Sequence, residues 1–500
     1  FFPAGFYYKT FMWPNKFWEK YEYFIRRAAG LGKSPKEDDP DKYEHFHYHC
    51  DVLVVGGGIS GLYASELAAK ANLKVLLLEQ KTVLGGEINN DRASNKDNEN
   101  VDFNLFKEIY SNLTKYPNLK IVTNTTVFAY MHQNYLLASQ KINKENVRQI
   151  IWKIRAKKVV LASGSIERPL VFNNNDRPGI LLSQSARYYL NRNLNLGKNI
   201  VLFTNNDYAY KTAIDFKIQN TSTKVSVIDV RNDSKGNLVK KAKSLGINIL
   251  FNHIITNTWG RKKINSVLIH KINNETSEII DKYGKVKCDL LCISGGWTPT
   301  IHLFSQSKGK LIYRDSDATF IPHKSFQDEI SIGSCNGTFT LNEILEEVCL
   351  KVSELLSEFK KKVAKINYIN EANIEKTFYD KMKHLWIIPS NIKFGKTKMF
   401  VDFQNDVTAK DIKLALQEGY KSIEHVKRYT TTGMATDQGK TSNISALGII
   451  SSLTNVPIHE LGTTTFRLPY TPITFGALAG IHVKEFFDVE RTTPMHQWHI

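Results

Sequence analysis

The sequence predicts an α/β fold with two Rossmann-like units, the second inserted in the first, and a small, mainly helical C-terminal module. Three observations lead to this prediction. A strand, a glycine turn, a helix and a second strand follow one another over residues 51–79. A similar pattern covers residues 199–229, and an apolar strand at 286–296 returns the chain to the first unit. After residue 398 the segments are mostly helix-forming. Such nesting is typical of reductases of the FAD/NAD(P) type, which have two dinucleotide-binding domains.

The first 49 residues are aromatic-rich and then charged, which predicts an arm followed by a linker. A free aromatic arm would expose a large apolar surface, so we expect it to be buried against this chain or a partner. The chain starts at Phe1 without a methionine or the pattern of a signal peptide. We therefore expect a fragment of a longer protein.

The strand and turn at residues 51–61 carry a dinucleotide fingerprint. Gly56 allows a sharp turn, Gly58 lets the backbone approach a pyrophosphate, and Gly61 lets the helix pack on the sheet. The N-terminus of the helix presents free N–H groups to the phosphates. Glu79 ends the next strand, where an acid can accept hydrogen bonds from ribose hydroxyls. The sequence therefore predicts a dinucleotide site.

The composition excludes several classes of protein. The net charge is +18, but the lysines are scattered and do not alternate with aromatic residues, so no nucleic-acid partner is expected. No apolar run is long enough to cross a membrane. The five cysteines contain no C-x-x-C pair, which argues against a thiol–disulfide reductase and fits a reducing cytoplasm. No metal site is predicted.

The second unit lacks the glycines of the first. Its turn over residues 204–209 places Thr204, Asn206 and Ala209 at the glycine positions, so side chains occupy the space of a pyrophosphate. We therefore predict a Rossmann-like domain whose dinucleotide site is lost. Asp229 keeps the position of a ribose acid but is expected to be structural.

The predicted domains follow in chain order. They are an aromatic arm and linker (1–49), a dinucleotide-binding domain (50–180 and 276–350), an inserted Rossmann-like domain (181–275), a helical connector (351–397), a helical module (398–490) and the start of a further domain (491–500). A long helix is expected over 341–365. In the module, Thr408 and Asp411 have the spacing of a capping box at the start of a helix.

Several longer motifs resemble the alpha subunit of heterotetrameric sarcosine oxidase. The resemblance covers essentially the whole chain. Its most specific blocks are residues 400–411 and 425–443, which ordinary flavin reductases do not carry. The other blocks are residues 1–14, 51–61, 203–209, 294–299 and 302–307.

This resemblance implies an oxidase that converts sarcosine, oxygen and tetrahydrofolate into glycine, hydrogen peroxide and 5,10-methylenetetrahydrofolate. In that family the alpha subunit holds NAD, and the beta subunit holds FAD and most of the amine-oxidising site. A covalently attached FMN at the alpha–beta interface passes electrons to oxygen, and gamma and delta subunits complete the assembly. The folate site belongs to an aminomethyltransferase-like domain that would begin near Arg491. This chain is therefore expected to lack that site and to contain no assignable catalytic residue.

The resemblance also implies cofactor-contacting positions. Together with the glycine turn, the expected NAD-binding residues are Gly56, Gly58, Ser60, Gly61, Glu79, Gln80, Lys81, Gly86, Glu87, Val127, Ser334, Cys335 and Thr340. The family usually has a second acid where this chain has Gln80, so a lower NAD affinity is expected.

Cations and hydroxyl groups are concentrated in the block 425–443, and such groups suit a phosphate. We hypothesise that part of this block contacts the interface FMN. The candidate residues are Lys427, Arg428, Thr431, Lys440 and Thr441. A packed helical module that docks the beta subunit is the alternative.

Three other functions remain as alternatives. A related two-subunit opine, hydroxyproline or hydrogen cyanide synthase-type dehydrogenase would share the dinucleotide domains but not the module at 398–480. A self-contained FAD/NAD(P)H reductase is disfavoured by the missing C-x-x-C pair and the altered second turn. An interaction protein without bound nucleotide is the third.

Overall fold

The structure is a computed structural model of the 500-residue chain. It describes residues 17–28, 39–94, 101–144, 147–362, 368, 380–482 and 495–499. Most of the predicted aromatic arm and half of the segment 491–500 therefore lie outside the described residues. The described part of the arm contains helix α1 (Trp18–Ala28). Phe17, Tyr23 and Phe24 expose 42%, 49% and 67% of their surface, so this part of the arm is not buried against the chain itself.

The first unit is built on a seven-stranded sheet with the order β3-β2-β1-β6-β5-β4, and β19 (Glu329–Ser331), from later in the chain, lies beside β6. Its elements up to residue 161 are β1 (Tyr43–Val55), α2 (Ile59–Lys70), β2 (Val75–Leu78), a 3₁₀ helix (Gly86–Ser94), α3 (Val101–Leu113), β3 (Leu119–Val122), β4 (Thr125–Met131), β5 (Tyr135–Lys144) and β6 (Val147–Leu161). Residues 43–49, predicted as a linker, belong to β1. They pair in parallel with β6, beginning with Tyr43 opposite Gln149. This pairing provides hydrogen-bond partners for their backbone N–H and C=O groups.

The second unit is built on a parallel sheet with the order β11-β10-β9-β15-β8. The elements from residue 165 are β7 (Ser165–Glu167), β8 (Ile180–Leu182), α4 (Ser183–Leu190), β9 (Asn199–Thr204), α5 (Tyr210–Gln219), β10 (Lys224–Asp229), α6 (Asn237–Ser244), β11 (Asn248–Phe251), β12 (His253–Trp259), β13 (Ser266–Ile272), β14 (Ile279–Lys287) and β15 (Leu290–Ser294). The predicted return to the first unit at residue 276 is wrong. β14 pairs with β13, and β15 pairs with β9 and β8, so the chain leaves the second unit only after Ser294.

The chain then returns to the first sheet. The next elements are β16 (Trp297–Pro299), α7 (His302–Gln306), β17 (Lys310–Arg314), β18 (Thr319–Lys324), β19 (Glu329–Ser331), a 3₁₀ turn (Gly333–Asn336) and α8 (Leu341–Glu358). β19 adds in parallel to the last residues of β6. The expected helix over 341–365 is shorter than predicted, because α8 ends at Glu358. The prediction of a helical connector is wrong for residues 380–393, which contain no helix.

The C-terminal module packs its own apolar core against the first unit. Its elements are a 3₁₀ turn (Phe394–Lys396), β20 (Phe400–Asp402), β21 (Val407–Thr408), α9 (Ala409–Gln417), α10 (Ile423–Thr430), α11 (Asn443–Thr454), α12 (Ile458–Leu461), α13 (Phe475–Ala479) and a 3₁₀ turn (Gly480–His482), and α14 (His496–His499) follows later. The predicted capping box is confirmed. The Asp411 carboxylate accepts hydrogen bonds from the Thr408 backbone N–H at 2.8 Å and from its hydroxyl at 2.7 Å.

One buried carboxyl group lies where the two Rossmann units meet. Glu167 ends β7 and is 2% exposed. Its carboxyl accepts a hydrogen bond from the backbone N–H of Gln184, at the start of α4, at 2.7 Å. Burial raises the pKa of Glu167 to about 8, although the Gln184 N–H and the Ser294 hydroxyl oppose that rise. Glu167 is therefore mostly protonated in the folded chain at neutral pH.

We expect Glu167→Gln to reduce the pH dependence of stability. The folded pKa is raised above the ordinary value of 4.5 to about 8, so the folded chain binds the extra proton between these pH values. Stability therefore falls as pH rises through that window, by roughly 1.4 kcal/mol per pH unit, and Gln cannot ionise. Urea unfolding at pH 5 and pH 8 measures the difference, with exposed Glu354→Gln as the control. Equal pH dependence in wild type and Glu167→Gln would contradict this prediction.

Candidate dinucleotide site

The glycine turn lies at the carboxyl edge of the first sheet, where β1 is flanked by β2 and β6. The chain leaves β1 toward one side of the sheet and later returns on the other, and ligands of open α/β sheets bind at such a switch point. Gly58 is the N-cap of α2 and no side chain bonds to the first turn. The first N–H groups of α2 have no partner within the helix and can bind an anion.

Glycine occurs at the three fingerprint positions for different structural reasons. A Cβ on Gly56 would lie 2.2 Å from the carbonyl oxygen of Ala162, and one on Gly61 would lie 1.9 Å from that of Gly56. Both positions therefore need glycine because backbone segments approach each other closely. A Cβ on Gly58 would meet no atom within 4 Å. Of the three, Gly58 is the one whose missing side chain leaves room at the helix end for a phosphate.

Glu79 is fixed beside this turn at the end of β2. Its side chain is buried, and one carboxylate oxygen accepts the Gly57 N–H at 2.7 Å while the other accepts the Lys81 N–H at 2.8 Å. Each oxygen retains a lone pair for a further donor. Gln80 and Lys81 follow as exposed residues. The carboxylate can therefore accept further hydrogen bonds from a group that binds beside the turn.

The loop after β2 closes one side of the turn. The Gly85 N–H donates to the Gly57 carbonyl oxygen at 2.8 Å. Gly86 has a φ of +57°, and a Cβ there would lie 3.0 Å from the Cα of Gly58. Glu87 follows as an exposed residue whose carboxylate accepts a hydrogen bond from the Asn90 side chain at 3.3 Å. The predicted residues Gly86 and Glu87 therefore lie next to the glycine turn.

The loop after β19 closes another side. A Cβ on Gly333 would lie 2.1 Å from the Ser60 hydroxyl oxygen, and the Ser334 hydroxyl oxygen would lie 4.0 Å from a Cβ on Gly164. The Gly333 N–H donates to the Glu347 carboxylate at 2.7 Å, and the Asn336 side chain donates to the same carboxylate. Glu347 thus holds this loop. The sequence analysis missed Glu347, because an acid two turns into a helix has no distinguishing pattern.

Three predicted residues present their side chains elsewhere. The Cys335 thiol is buried and donates to the carbonyl oxygens of Leu161 and Ile332 at 3.0 and 3.2 Å, and burial raises its pKa to about 11. Val127 packs in the core of the first sheet, at an irregular point of the β4–β5 pairing. Both residues therefore offer only main-chain groups to a cofactor. Thr340 is the N-cap of α8, and its hydroxyl donates to Glu343 at 2.6 Å.

The corresponding edge of the second unit is filled by the chain's own side chains. Arg231 is 3% exposed and forms ion pairs with Asp207 at 2.8 Å and Asp229 at 2.7 Å. The Tyr210 hydroxyl donates to Asp229 at 2.7 Å. The Asn206 amide donates to the Ser294 carbonyl and hydroxyl oxygens at 3.3 and 3.1 Å. Asp229 is thus engaged within the protein, as the expected structural role requires.

The block 425–443 consists of the end of α10, the loop 431–442 and the first residue of α11. Lys427 and Arg428 lie in the last turn of α10, and Thr431 caps that helix in a left-handed conformation with a φ of +66°. Burial lowers the pKa of Lys427, the nearby Glu424 carboxylate opposes that fall, and the nearby cations Arg467 and Arg428 add to it. Arg467, which the sequence analysis did not select, therefore belongs to the same positive cluster.

Two buried polar side chains shape this loop. The Asp402 carboxylate accepts the Gly433 N–H at 2.7 Å and the Ser442 hydroxyl at 3.3 Å, at the two ends of the loop. The Asn443 amide donates to the Gln438 carbonyl oxygen at 3.0 Å. A Cβ on Gly439 would lie 1.9 Å from the Asn443 side-chain oxygen. The positions of Lys440 and Thr441 thus depend on Asp402 and Asn443.

Lys440 lies on the other side of the loop, beside a cavity of about 50 Å³ between the module and the first unit. Its ammonium group lies 4.5 Å from the centre of the Tyr470 ring and donates to the Tyr470 carbonyl oxygen at 3.4 Å. Burial lowers the pKa of Lys440, which Asp437 partly offsets. Within the described residues, Lys427, Arg428, Lys440 and Arg467 form no ion pair with a carboxylate.

Two further features are not found in the part of the chain that the structure describes. No described helix has both the length and the apolar character that a membrane span requires. No group of three or more described His, Cys, Asp and Glu side chains has the arrangement of a metal site.

Two family descriptions match parts of the chain. Residues 54–121 match an NAD(P)-binding Rossmann-like domain, which covers the glycine turn, Glu79 and the loop after it. Residues 396–481 match the sarcosine oxidase A3 domain, which covers the C-terminal module.

Curated relatives match along nearly the whole chain. The sarcosine oxidase subunit alpha of Rhizobium meliloti (strain 1021) is 37% identical over 100% of this chain and 49% of its own length. The subunit alpha of Corynebacterium sp. (strain P-1) is 32% identical over 94% of this chain and 49% of its own length. The chain therefore spans about half the length of these relatives. Since they are named as subunits, they belong to multi-subunit enzymes.

The fold also resembles that of a solved oxidoreductase. The structure of L-proline dehydrogenase from P. horikoshii superposes with a TM-score of 0.63 at 22% identity, covering 88% of this chain and 81% of that one. This likeness confirms the predicted α/β fold with Rossmann-like units.

We expect two alanine substitutions in the glycine turn to have different effects. Gly58→Ala should weaken dinucleotide binding with little loss of stability, because the new methyl group meets no protein atom. Gly61→Ala should lower the free energy of unfolding by about 1–3 kcal/mol, because its methyl group overlaps the Gly56 carbonyl oxygen. Calorimetric titration with NAD and FAD, and urea unfolding without nucleotide, measure the two effects. A large stability loss in Gly58→Ala, or none in Gly61→Ala, would contradict this assignment.

Proposed function

We propose that this chain, which is homologous along its whole length to the alpha subunits of sarcosine oxidase, is the NAD-binding alpha subunit of a heterotetrameric sarcosine oxidase. The complete enzyme would oxidise sarcosine with oxygen and, with tetrahydrofolate, yield glycine, hydrogen peroxide and 5,10-methylenetetrahydrofolate. The observation that carries the proposal is the match of residues 396–481 to the sarcosine oxidase A3 domain. It favours this enzyme over related dehydrogenases that share only the dinucleotide domains.

NAD is the nucleotide that we assign to the first unit. The turn at Gly58 and the first N–H groups of α2 would hold the pyrophosphate, and Glu79 would accept the hydrogen bonds of a ribose. A carboxylate at this position repels a 2′-phosphate, which favours NAD over NADP. Ser60, Gln80, Lys81, Gly86 and Glu87 would contribute further contacts around the same opening.

FMN is the cofactor that we assign to the block 425–443, at the interface with a beta subunit. Lys427, Arg428, Lys440 and the hydroxyl groups of Thr431 and Thr441 would hold its phosphate. These cations fit the proposal because none of them forms an ion pair with a described carboxylate. Bound FMN would supply electron transfer to oxygen, while this chain would supply charge and position.

The remaining parts of the enzyme would lie outside these residues. FAD and the amine-oxidising site would belong to the beta subunit, the gamma and delta subunits would complete the assembly, and tetrahydrofolate would bind a separate aminomethyltransferase-like domain. We assign no catalytic residue to this chain. The five cysteines are free, and four of them are buried, which supports a reducing compartment such as the cytoplasm.

The first test is the activity and nucleotide content of the assembled enzyme. Full-length alpha chain co-expressed with its three partner subunits should consume oxygen with sarcosine and release peroxide, whereas the present chain alone should not. Mass analysis after denaturation should find one NAD per alpha chain. Glu79→Ala should weaken NAD binding by roughly 1.5–3 kcal/mol, because a charged acceptor is lost. Recovery of FAD alone from the isolated chain would contradict the assignment.

The second test concerns the phosphate of FMN. Lys440→Met in the full assembly should lower FMN occupancy about tenfold or more if attachment is incomplete, because a charged hydrogen bond is worth roughly 1.5–3 kcal/mol. Bound NAD should not change. Lys421→Met, on an exposed position before α10, is the matched control. Unchanged FMN content with weaker beta-subunit association would show instead that the block is a docking surface.

A further inference from the structure

The crevice of the second Rossmann unit lies outside the carboxyl ends of β9 and β15. The chain runs from β9 to β10 on one side, and β15 lies on the other side of β9. This is the switch point at which open α/β sheets bind ligands. The residues that follow the two strands, Asn205–Asp207 and Gly295–Gly296, form the rim of the crevice.

Residues 380–388 cross this rim. At one end, the Asp380 N–H donates to the Asp207 carboxylate at 2.8 Å, and the Asp380 carboxylate accepts the Lys235 N–H at 3.1 Å. A Cβ on Gly296 would lie 3.2 Å from the Met382 sulfur. His384, Leu385 and Trp386 then face Asn205 and Gly295 across a cavity of about 10 Å³. The segment therefore leaves no room for a ligand at this point of the rim.

The other end of the segment is anchored in the cores of two units. Ile388 is fully buried in the core of the second unit, and its N–H donates to the Val171 carbonyl oxygen at 2.9 Å. The Trp386 ring lies against helix α11 of the module, where a Cβ on Gly448 would come within 1.9 Å of the ring. The guanidinium group of buried Arg168 lies 5.7 Å from the centre of the same ring.

We propose that residues 380–388 are a built-in ligand of the second unit. The segment occupies the crevice in which a second dinucleotide would bind, and it joins this unit to the C-terminal module. The ion pairs of Arg231 with Asp207 and Asp229 fix the rim that receives it. No nucleotide can then deliver or take up a hydride at this crevice. This inference does not depend on the identity of the amine substrate.

Hydrogen exchange in the complete assembly tests the proposal. In the wild type, amides in the segment, notably those of Asp380 and Ile388, should exchange far more slowly than in an unfolded peptide. Gly448→Ala should speed exchange across 380–388 by about tenfold or more, because the added methyl group displaces Trp386. Exchange across 51–87 should not change. Gly395→Ala is the matched control, because a Cβ there meets nothing within 4 Å.

Two further measurements make the outcome decisive. If Gly448→Ala does not fold, Trp386→Ala should release the segment and Trp386→Phe should restore most of its protection. NADH or NADPH at millimolar concentration should leave the exchange of 380–388 unchanged. Exchange of the wild-type segment at the unfolded rate would overturn the proposal. So would faster exchange on addition of either nucleotide, since that would identify a displaceable lid over a working second site.

Discussion

The close approach of three backbone segments at Gly56, Gly61 and Ala162 determines where everything else in the first unit lies. Without side chains at the two glycines, the start of α2 can sit directly on the ends of β1 and β6. That contact directs the free N–H groups of the helix toward the edge of the sheet, beside Glu79. The loops that carry Gly86 and Gly333 then approach the same point from two sides.

The two Rossmann units show how one architecture can be open or closed to a ligand. In the first unit the turn contains glycine and the neighbouring acid keeps lone pairs free. In the second, Asn206 of the turn donates a hydrogen bond to Ser294, and Arg231 forms ion pairs with Asp207 and Asp229. A buried pair of this kind is costly to break, because removing one partner leaves an unpaired charge. The side chains at this edge of the second unit are therefore engaged in bonds within the chain.

The features that could be predicted from the sequence are those set by near neighbours in the chain. The capping box of Thr408 and Asp411 lies within one helical turn. The segment Gly56–Glu79 lies within one strand–helix–strand unit. Other features join residues that are far apart in the chain. They are the pairing of β15 with β9, the hydrogen bond of Glu347 to the loop at Gly333, and the hydrogen bond of Asp380 to Asp207. No local pattern encodes such contacts. Arg467 was missed for the same reason, because only the fold brings it to Lys427.

The pairing of β19 with the end of β6 has a consequence for how the chain is made. The sheet that carries the glycine turn takes strands from residue 43 to residue 331. During synthesis, the ribosome therefore releases all of the inserted unit before the outer sheet can be completed. The inserted unit has a sheet of its own and can fold while its host is still unfinished. Until β19 is made, residues Val159–Leu161 at the end of β6 pair with β1 on one side and lack a strand on the other. In that period the unpaired backbone of a nascent chain is exposed to aggregation and to chaperones.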